Sequence, residues 1–368
     1  MNKIEVFLNN INNNISDIHI REEENIIVRI NGRIEYSDTY TTRKEIIDFL
    51  KLHRILNNSK EEYKYYGFEQ FFSENDIAID NQKNRFRGNI FLYSCGKLGI
   101  VFRKIDKYIK SIEELGIPDI LKKICNLNSG LFIITGPTGS GKTSTQAAII
   151  KYINENYQKH IITIEDPIEY VFRNEKSIIT QREIGKDSES FGCALKYSLR
   201  QDPDVIVIGE IRDNETLKAA MNAAETGHLC ICTMHTLGVA ATIDRIIDIF
   251  ESDEKEKYRF QLSMVLECIY SQQLISVKQD LSSIKRVVVS EVLIADKSSR
   301  NMIREGKNNQ IANYLITNKE KGMISMDDEL VKLYNRNIIE YEQLIFHCID
   351  REYIDKKVSK NKKVCFFD

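Results

Sequence analysis

The chain has 368 residues, of which 42% are hydrophobic and 29% charged, with a formal net charge of −2. Such a length suits roughly two domains, and such a mixture suits a soluble globular fold. The near-neutral balance excludes the overall basic footprint of a nucleic-acid binder. No run reaches the ~18 apolar residues of a membrane span, and residues 1–20 carry no signal-peptide pattern, so a cytosolic protein is expected.

Residues 1–105 read as an α+β domain. "SDIHI" (16–20) alternates polar and apolar residues as a half-buried strand does. "IIVRINGRIEY" (26–36) sets Asn31-Gly32 between two apolar runs, a hairpin signal. A helical segment follows over 43–56, then strands near 76–79, 85–93 and 98–103. The stretch 104–120, with mixed polarity and Pro118, reads as a connector.

Beyond it the pattern changes. The apolar runs at 131–135, 160–166, 204–210 and 228–236 alternate with helical segments. Runs of that kind suit strands covered on both faces in a parallel sheet. A further strand is expected over 286–294 and helices over 298–351, while the basic end "KKVSKNKKVCFFD" reads as a flexible, solvated tail. Cys95, Cys125, Cys193, Cys230, Cys232, Cys268, Cys348 and Cys365 form no C-x₂-C pair, so neither a zinc site nor disulfides are expected. Cys230 and Cys232 read as small core residues of one strand.

The chemistry begins at "GPTGSGKT": Gly136, Pro137, Thr138, Gly139, Ser140, Gly141, Lys142 and Thr143, followed by Ser144. It fits G-x-x-x-x-G-K-[ST] in full, and it lies between a strand and a helix. Glycines let backbone N–H groups turn inward around a phosphate, and the following helix points its positive end at the same anion. Lys142 then reaches the β- and γ-phosphates, and the Thr143 hydroxyl ligates Mg²⁺. ATP and Mg²⁺ are therefore expected.

Two neighbouring strands end in acids near this loop. "ITIEDPIEY" sets Glu165 and Asp166 at one strand end, with Glu169 close behind, and Glu210 closes the next strand. Such carboxylates accept a proton from water or hold Mg²⁺ through its hydration shell. In "DPDVIVIGEIRD" (202–213), Gly209 stands where many phosphate-loop enzymes carry an aspartate. "ETGHLCICTMHT" adds His228 before a strand and His235 after it. Read alone, His235 is either a structural histidine or a contact for the γ-phosphate.

Together "GPTGSGKT", "IITIEDPIEYVF", "LRQDPDVIVIGEIRD" and "AAETGHLCICTMHT" resemble, in order and spacing, the four nucleotide motifs of the type II/type IV secretion ATPase superfamily. That group tolerates a Gly-Glu strand ending. "SSRNMIRE" (298–305) and "GMISMDDEL" (322–330) resemble the PilT-like pilus retraction branch; the first departs from the branch's A-I-R-N-L-I-R-E at Ser298 and Ser299.

The resemblance implies an N-terminal PAS-like α+β domain (1–105), a linker (106–118), a RecA-like P-loop ATPase core (119–297) and a C-terminal helical region (298–368). It implies catalysis by Glu165 and Glu210, with Glu210 also supporting Mg²⁺, and sensing of the γ-phosphate site by His228 and His235. Arg85, Arg87 and Arg103 look like N-terminal arginines that neutralise phosphate charge, while Arg200 and Arg212 brace the second nucleotide motif or a subunit contact. The expected protein is a homo-hexameric motor of type IV pilus retraction, working on an inner-membrane platform protein from the cytoplasmic face, without direct nucleic-acid contact. The alternatives are pilus extension, type II secretion or DNA uptake by the same kind of ATPase, and, more distantly, a RecA-like helicase or a non-hydrolysing scaffold.

Overall fold

The computed structural model describes residues 2–11, 15–30, 33–53, 55, 75–81, 84–278 and 286–364. Its contacts divide the chain into two compact units: Met1–Ile109 with Asp166–Val171, and Lys110–Glu165 with Phe172–Asp368. The grouping of Asp166–Val171 with the first unit had no signal in the sequence.

The first unit opens on helix α1 (Lys3–Asn9), capped by Asn2, whose side chain accepts from the Ile4 N–H. Strands β1 (Ile15–Arg21), β2 (Glu24–Ile30) and β3 (Arg33–Thr41) follow, then helix α2 (Arg43–Leu52), β4 (Asn75–Asp80), β5 (Arg85–Tyr93) and β6 (Lys97–Ile105). They form an antiparallel sheet in the order β3-β2-β1-β6-β5-β4. Strand alternation sends Ile18, Ile20, Phe86 and Phe102 inward, where they pack with Phe49 of α2. A reciprocal capping box between Thr42 and Glu45 starts α2. The Asn31-Gly32 turn lies outside the described residues; the flanking strands pair antiparallel through Ile30 and Arg33.

The second unit runs α3 (Ile120–Cys125), β7 (Gly130–Thr135), α4 (Lys142–Asn156), β8 (His160–Glu165), β9 (Ile178–Glu183), α5 (Phe191–Ser198), β10 (Val205–Ile208), α6 (Asn214–Glu225), β11 (Leu229–Met234), α7 (Val239–Asp248), α8 (Lys255–Val265), β12 (Leu266–Ser276) and β13 (Arg286–Ile294). Its sheet has the order β13-β12-β7-β11-β10-β8-β9. All neighbours are parallel except β13, which runs antiparallel along β12. Every residue of β7, β10 and β11 is buried, which is why these strands read as unbroken apolar runs. Cys230 and Cys232 are fully buried, as expected.

The sequence reading missed β9 and β12. In β12, Ser271, Gln272 and Gln273 interrupt the apolar pattern, yet all three are buried because each finds hydrogen-bond partners.

Helices α9 (Lys297–Arg304), α10 (Ile311–Thr317), α11 (Met326–Asn335), α12 (Tyr341–His347) and α13 (Arg351–Val364) complete the unit. The last carries the helix into the stretch expected as a flexible tail (356–368), of which residues 365–368 lie outside the described residues. Ile354 and Val358, four residues apart, bury one face of α13 with Met326 and Leu330 of α11.

Candidate functional site

Strand β7 delivers the chain into Gly136 at the C-terminal edge of the parallel sheet. Gly136, Gly139 and Gly141 have φ values of 150°, 80° and 91°, a region that side chains resist. At Gly136 space is limiting as well: a Cβ would come within 2.3 Å of the Gln272 carbonyl oxygen. The Ser140 hydroxyl is buried without a hydrogen-bond partner among the described residues, and Pro137, Thr138 and Gly139 are exposed.

Helix α4 starts at Lys142 with no side-chain cap, so its first N–H groups remain for an anion. Lys142 is buried, and its ammonium donates to the carbonyls of Gly136 (2.8 Å) and Pro137 (3.1 Å). Burial lowers its pKa to about 8. Half-buried Thr143 and Ser144 follow it in the first turn.

Adjacent β8 and β10 pair Ile164 with Ile208, which sets Glu165 and Glu210 at the same sheet edge. Glu165 is oriented by two donors, the Thr163 hydroxyl at 2.6 Å and the Gln181 amide at 3.2 Å. Gly209 has a local reason to be glycine. Its N–H donates to the Ile164 carbonyl at 2.8 Å, and a Cβ there would sit 3.2 Å from the same oxygen. The acid follows one residue later, at Glu210.

Glu210 meets His235: Oε2 lies 3.0 Å from Nε2, and Arg212 pairs with the other carboxylate oxygen. The second ring nitrogen, Nδ1, lies 3.4 Å from the Lys142 ammonium. An ammonium only donates, so these partners select a neutral ring carrying its proton on Nε2. Burial first, then Lys142 and Arg212, hold the His235 pKa below its ordinary value. Lys142, His235 and Glu210 thus form one polar chain from the loop to the tip of β10. Behind it the Thr135 hydroxyl donates to the Thr236 carbonyl at 2.6 Å, joining β7 to the turn after β11.

The structure does not bring His228 to this place. It precedes Leu229, which pairs with Gly130, whereas Met234 pairs with Thr135. The length of β11, about 20 Å at the usual strand rise, therefore separates His228 from the loop of its own chain. Its Nδ1 lies 3.1 Å from the Ala223 carbonyl, a structural contact.

Arg85, Arg87 and Arg103 belong to the first unit and are held there. Arg85 pairs with Asp80 (2.9 Å) and donates to the Ile168 carbonyl, Arg87 joins Glu169 (3.0 Å) and Asp76, and Arg103 joins Asp17 (3.0 Å). Asp166 is grouped with the same unit. Arg200 is exposed, and Arg212 holds Glu210.

Thr163, Gln181 and Thr145 were missed from sequence. The alternation of "ITIED" places Thr163 on the face of Glu165, but nothing local marks Gln181. The departures at Ser298 and Ser299 also have an explanation. Asp296 caps α9 by accepting from the Ser298 and Ser299 N–H groups, and the Asp296 N–H donates to the Ser299 hydroxyl oxygen at 2.8 Å, closing a capping box. Arg300 then binds the Ser263 and Met264 carbonyls and Glu267, and Arg304 lies over the Phe260 ring at 5.1 Å.

A glycine cradle, a buried lysine and two strand-end glutamates at the C-terminal edge of a parallel sheet define a phosphate-loop α/β protein. The chain belongs to the type II/IV secretion system protein family, whose model matches residues 4–343. It is 47% identical over 258 residues to a twitching motility protein of Neisseria gonorrhoeae, covering 70% of this chain and 68% of that protein. It is 37% identical over 328 residues to the type IV pilus retraction ATPase PilT of Pseudomonas aeruginosa, covering 89% and 92%. Its fold matches a crystal structure of the pilus retraction motor PilT with bound ADP at a TM-score of 0.84 and 36% identity, across 97% of this chain and 99% of that one.

Proposed function

We propose that this chain is an ATP-hydrolysing motor of type IV pilus retraction. The observation that carries the reading is the Lys142–His235–Glu210 chain, running from a glycine cradle to the strand tip beside Glu165.

In this reading the amides of residues 136–144 and the Lys142 ammonium grip the phosphates of ATP. The Ser140 hydroxyl, without a hydrogen-bond partner among the described residues, suits a phosphate oxygen. Glu165, fixed by Thr163 and Gln181, accepts the proton of the attacking water. Glu210 accepts from Nε2 and aims His235 at the loop, while burial, Lys142 and Arg212 keep the ring neutral, so that His235 registers the charge beside Lys142. The donors also fit Mg²⁺: Thr143 and Glu210 supply hard oxygens, and this ion binds through one or two protein oxygens plus water and substrate. When bound there, Mg²⁺ neutralises the charge that builds on the phosphates.

Arg85, Arg87 and Arg103 are proposed to serve phosphate charge by exchanging one anionic partner for another. The division into a PAS-like domain (1–105), linker (106–118), RecA-like core (119–297) and helical region (298–368) belongs to the same proposal. So do the homo-hexamer, the platform-protein partner and the cytoplasmic face of the inner membrane.

Cells lacking the protein separate this reading from its neighbours. Loss of a retraction motor leaves more surface pili, whereas loss of an extension motor leaves none. Arg304→Ala is expected to spare phosphate release while abolishing movement; equal loss of both removes α9 from the output side.

A further inference from the structure

We infer that Gln272 is the positioning residue that sets the phosphate loop in its gripping conformation. The inference rests on the nucleotide reading above and adds to it a residue outside the loop's own sequence. Gln272 lies on β12 and is 1% exposed, yet its carboxamide makes two hydrogen bonds in opposite senses. Nε2 donates to the Ser140 carbonyl at 2.5 Å, and Oε1 accepts from the Thr145 hydroxyl at 2.7 Å. Its main-chain oxygen is also the atom that excludes a Cβ at Gly136. One residue thus touches the first glycine of the loop, its middle and the first turn of α4.

The consequence follows from peptide planarity. In a trans peptide the C=O and the next N–H point in opposite directions. Drawing the Ser140 carbonyl toward β12 therefore turns the Gly141 N–H away from it. Thr145 also carries the backbone bond to the Gly141 carbonyl (3.0 Å), so the peptide units on both sides of Gly141 are fixed.

A carboxamide alone offers donor and acceptor at this length. Methionine fills the space with neither, and an ionised glutamate sets an anion against the Ser140 carbonyl. The neighbours on β12 face the other side, as strand alternation requires. Ser271 accepts from the Gly238 N–H at 2.9 Å, and Gln273 donates to the His347 carbonyl at 3.0 Å. Gln273 is therefore a control of similar burial whose carboxamide bonds His347 instead of the loop.

The test is steady-state ATP hydrolysis by the full chain and by Gln272→Met, Gln272→Glu and Gln273→Met. Gln272→Met should raise KM for ATP about tenfold while kcat stays within about threefold, because a preset loop grips ground state and transition state alike. Gln272→Glu should bind weakly at about pH 8 and recover toward wild type at about pH 6, where protonation restores a donor. Gln273→Met should leave KM unchanged. An unaltered KM in Gln272→Met, an equal rise in both methionine variants, or no recovery of Gln272→Glu in acid overturns the inference. A wild-type chain without ATP affinity removes the nucleotide reading itself, a result visible before any variant is made.

Discussion

The two ends of β11 carry one histidine each, and the two side chains meet different surroundings. At the C-terminal end, His235 is held between an ammonium and a carboxylate, beside the glycine cradle. At the N-terminal end, His228 lies against a helix carbonyl and a threonine hydroxyl. The strand is the same and the residue type is the same; what differs is the convergence of neighbouring strand ends. In parallel sheets the loops that leave the C-terminal edge collect the functional groups, and the opposite edge collects turns.

The comparison breaks most sharply on Glu165. Glu165→Gln keeps the two donors' partner in shape but removes the base. Its kcat should fall about a hundred- to thousandfold with KM little changed, measured by phosphate release. An equal rise in KM would make Glu165 a binding group instead.

The histidines sharpen the contrast. His235→Ala should lower kcat about tenfold, as expected for a lost polar contact near the transferred phosphate. His228→Ala should leave nucleotide affinity of the isolated chain unchanged, measured by titration with a non-hydrolysable ATP analogue. A matching loss in both would mean that the two ends of β11 are not distinct in function. The His235 pKa is held down, so acid charges the ring beside Lys142. Activity that needs the neutral ring should decline as pH falls below the ordinary histidine value.

Two smaller effects concern the frame. Asp296→Ala removes the cap of α9 and should destabilise the protein by about 1 kcal/mol in denaturant melts. The folded-state pKa of Asp296 is held below the ordinary carboxylate value, through Lys321, the Ser299 N–H and Tyr314 against the opposing effect of burial. Its contribution is therefore present at neutral pH and lost as pH falls through the lowered value.

Glu291 behaves in the opposite sense. Buried among backbone donors from Val239 and Met326, it is pushed up from 4.5 to about 7. Between those values the folded chain holds a proton that the unfolded chain has released, so stability on this account falls as pH rises through the window. Glu291→Gln should flatten that slope by a few degrees of Tm; an unchanged slope would mean that Glu291 titrates normally.

Much of the site was legible because its parts are local. "GPTGSGKT" states its conformation through its glycines, and the strand ends at Glu165 and Glu210 follow apolar runs that only a doubly covered strand explains. Gly209 departs from the aspartate of many phosphate-loop enzymes, and the crowding that a Cβ would meet there, 3.2 Å from the Ile164 carbonyl oxygen across the sheet, is invisible in the sequence. Strand β12 was illegible for the reverse reason: its buried glutamines are satisfied by partners more than seventy residues away, and polarity in sequence then says nothing about burial. The distance of His228 from the loop of its own chain was not legible, because a motif gives order along the chain, whereas strand direction decides which end of the sheet a residue occupies.

The most direct test is phosphate release from ATP by the purified wild-type chain, with and without EDTA, beside Lys142→Ala. The account predicts release by wild type that EDTA stops and that Lys142→Ala lacks, with the variant melting no lower than wild type because a buried ammonium is gone. Release at the wild-type rate from Lys142→Ala, or none from wild type, would contradict it.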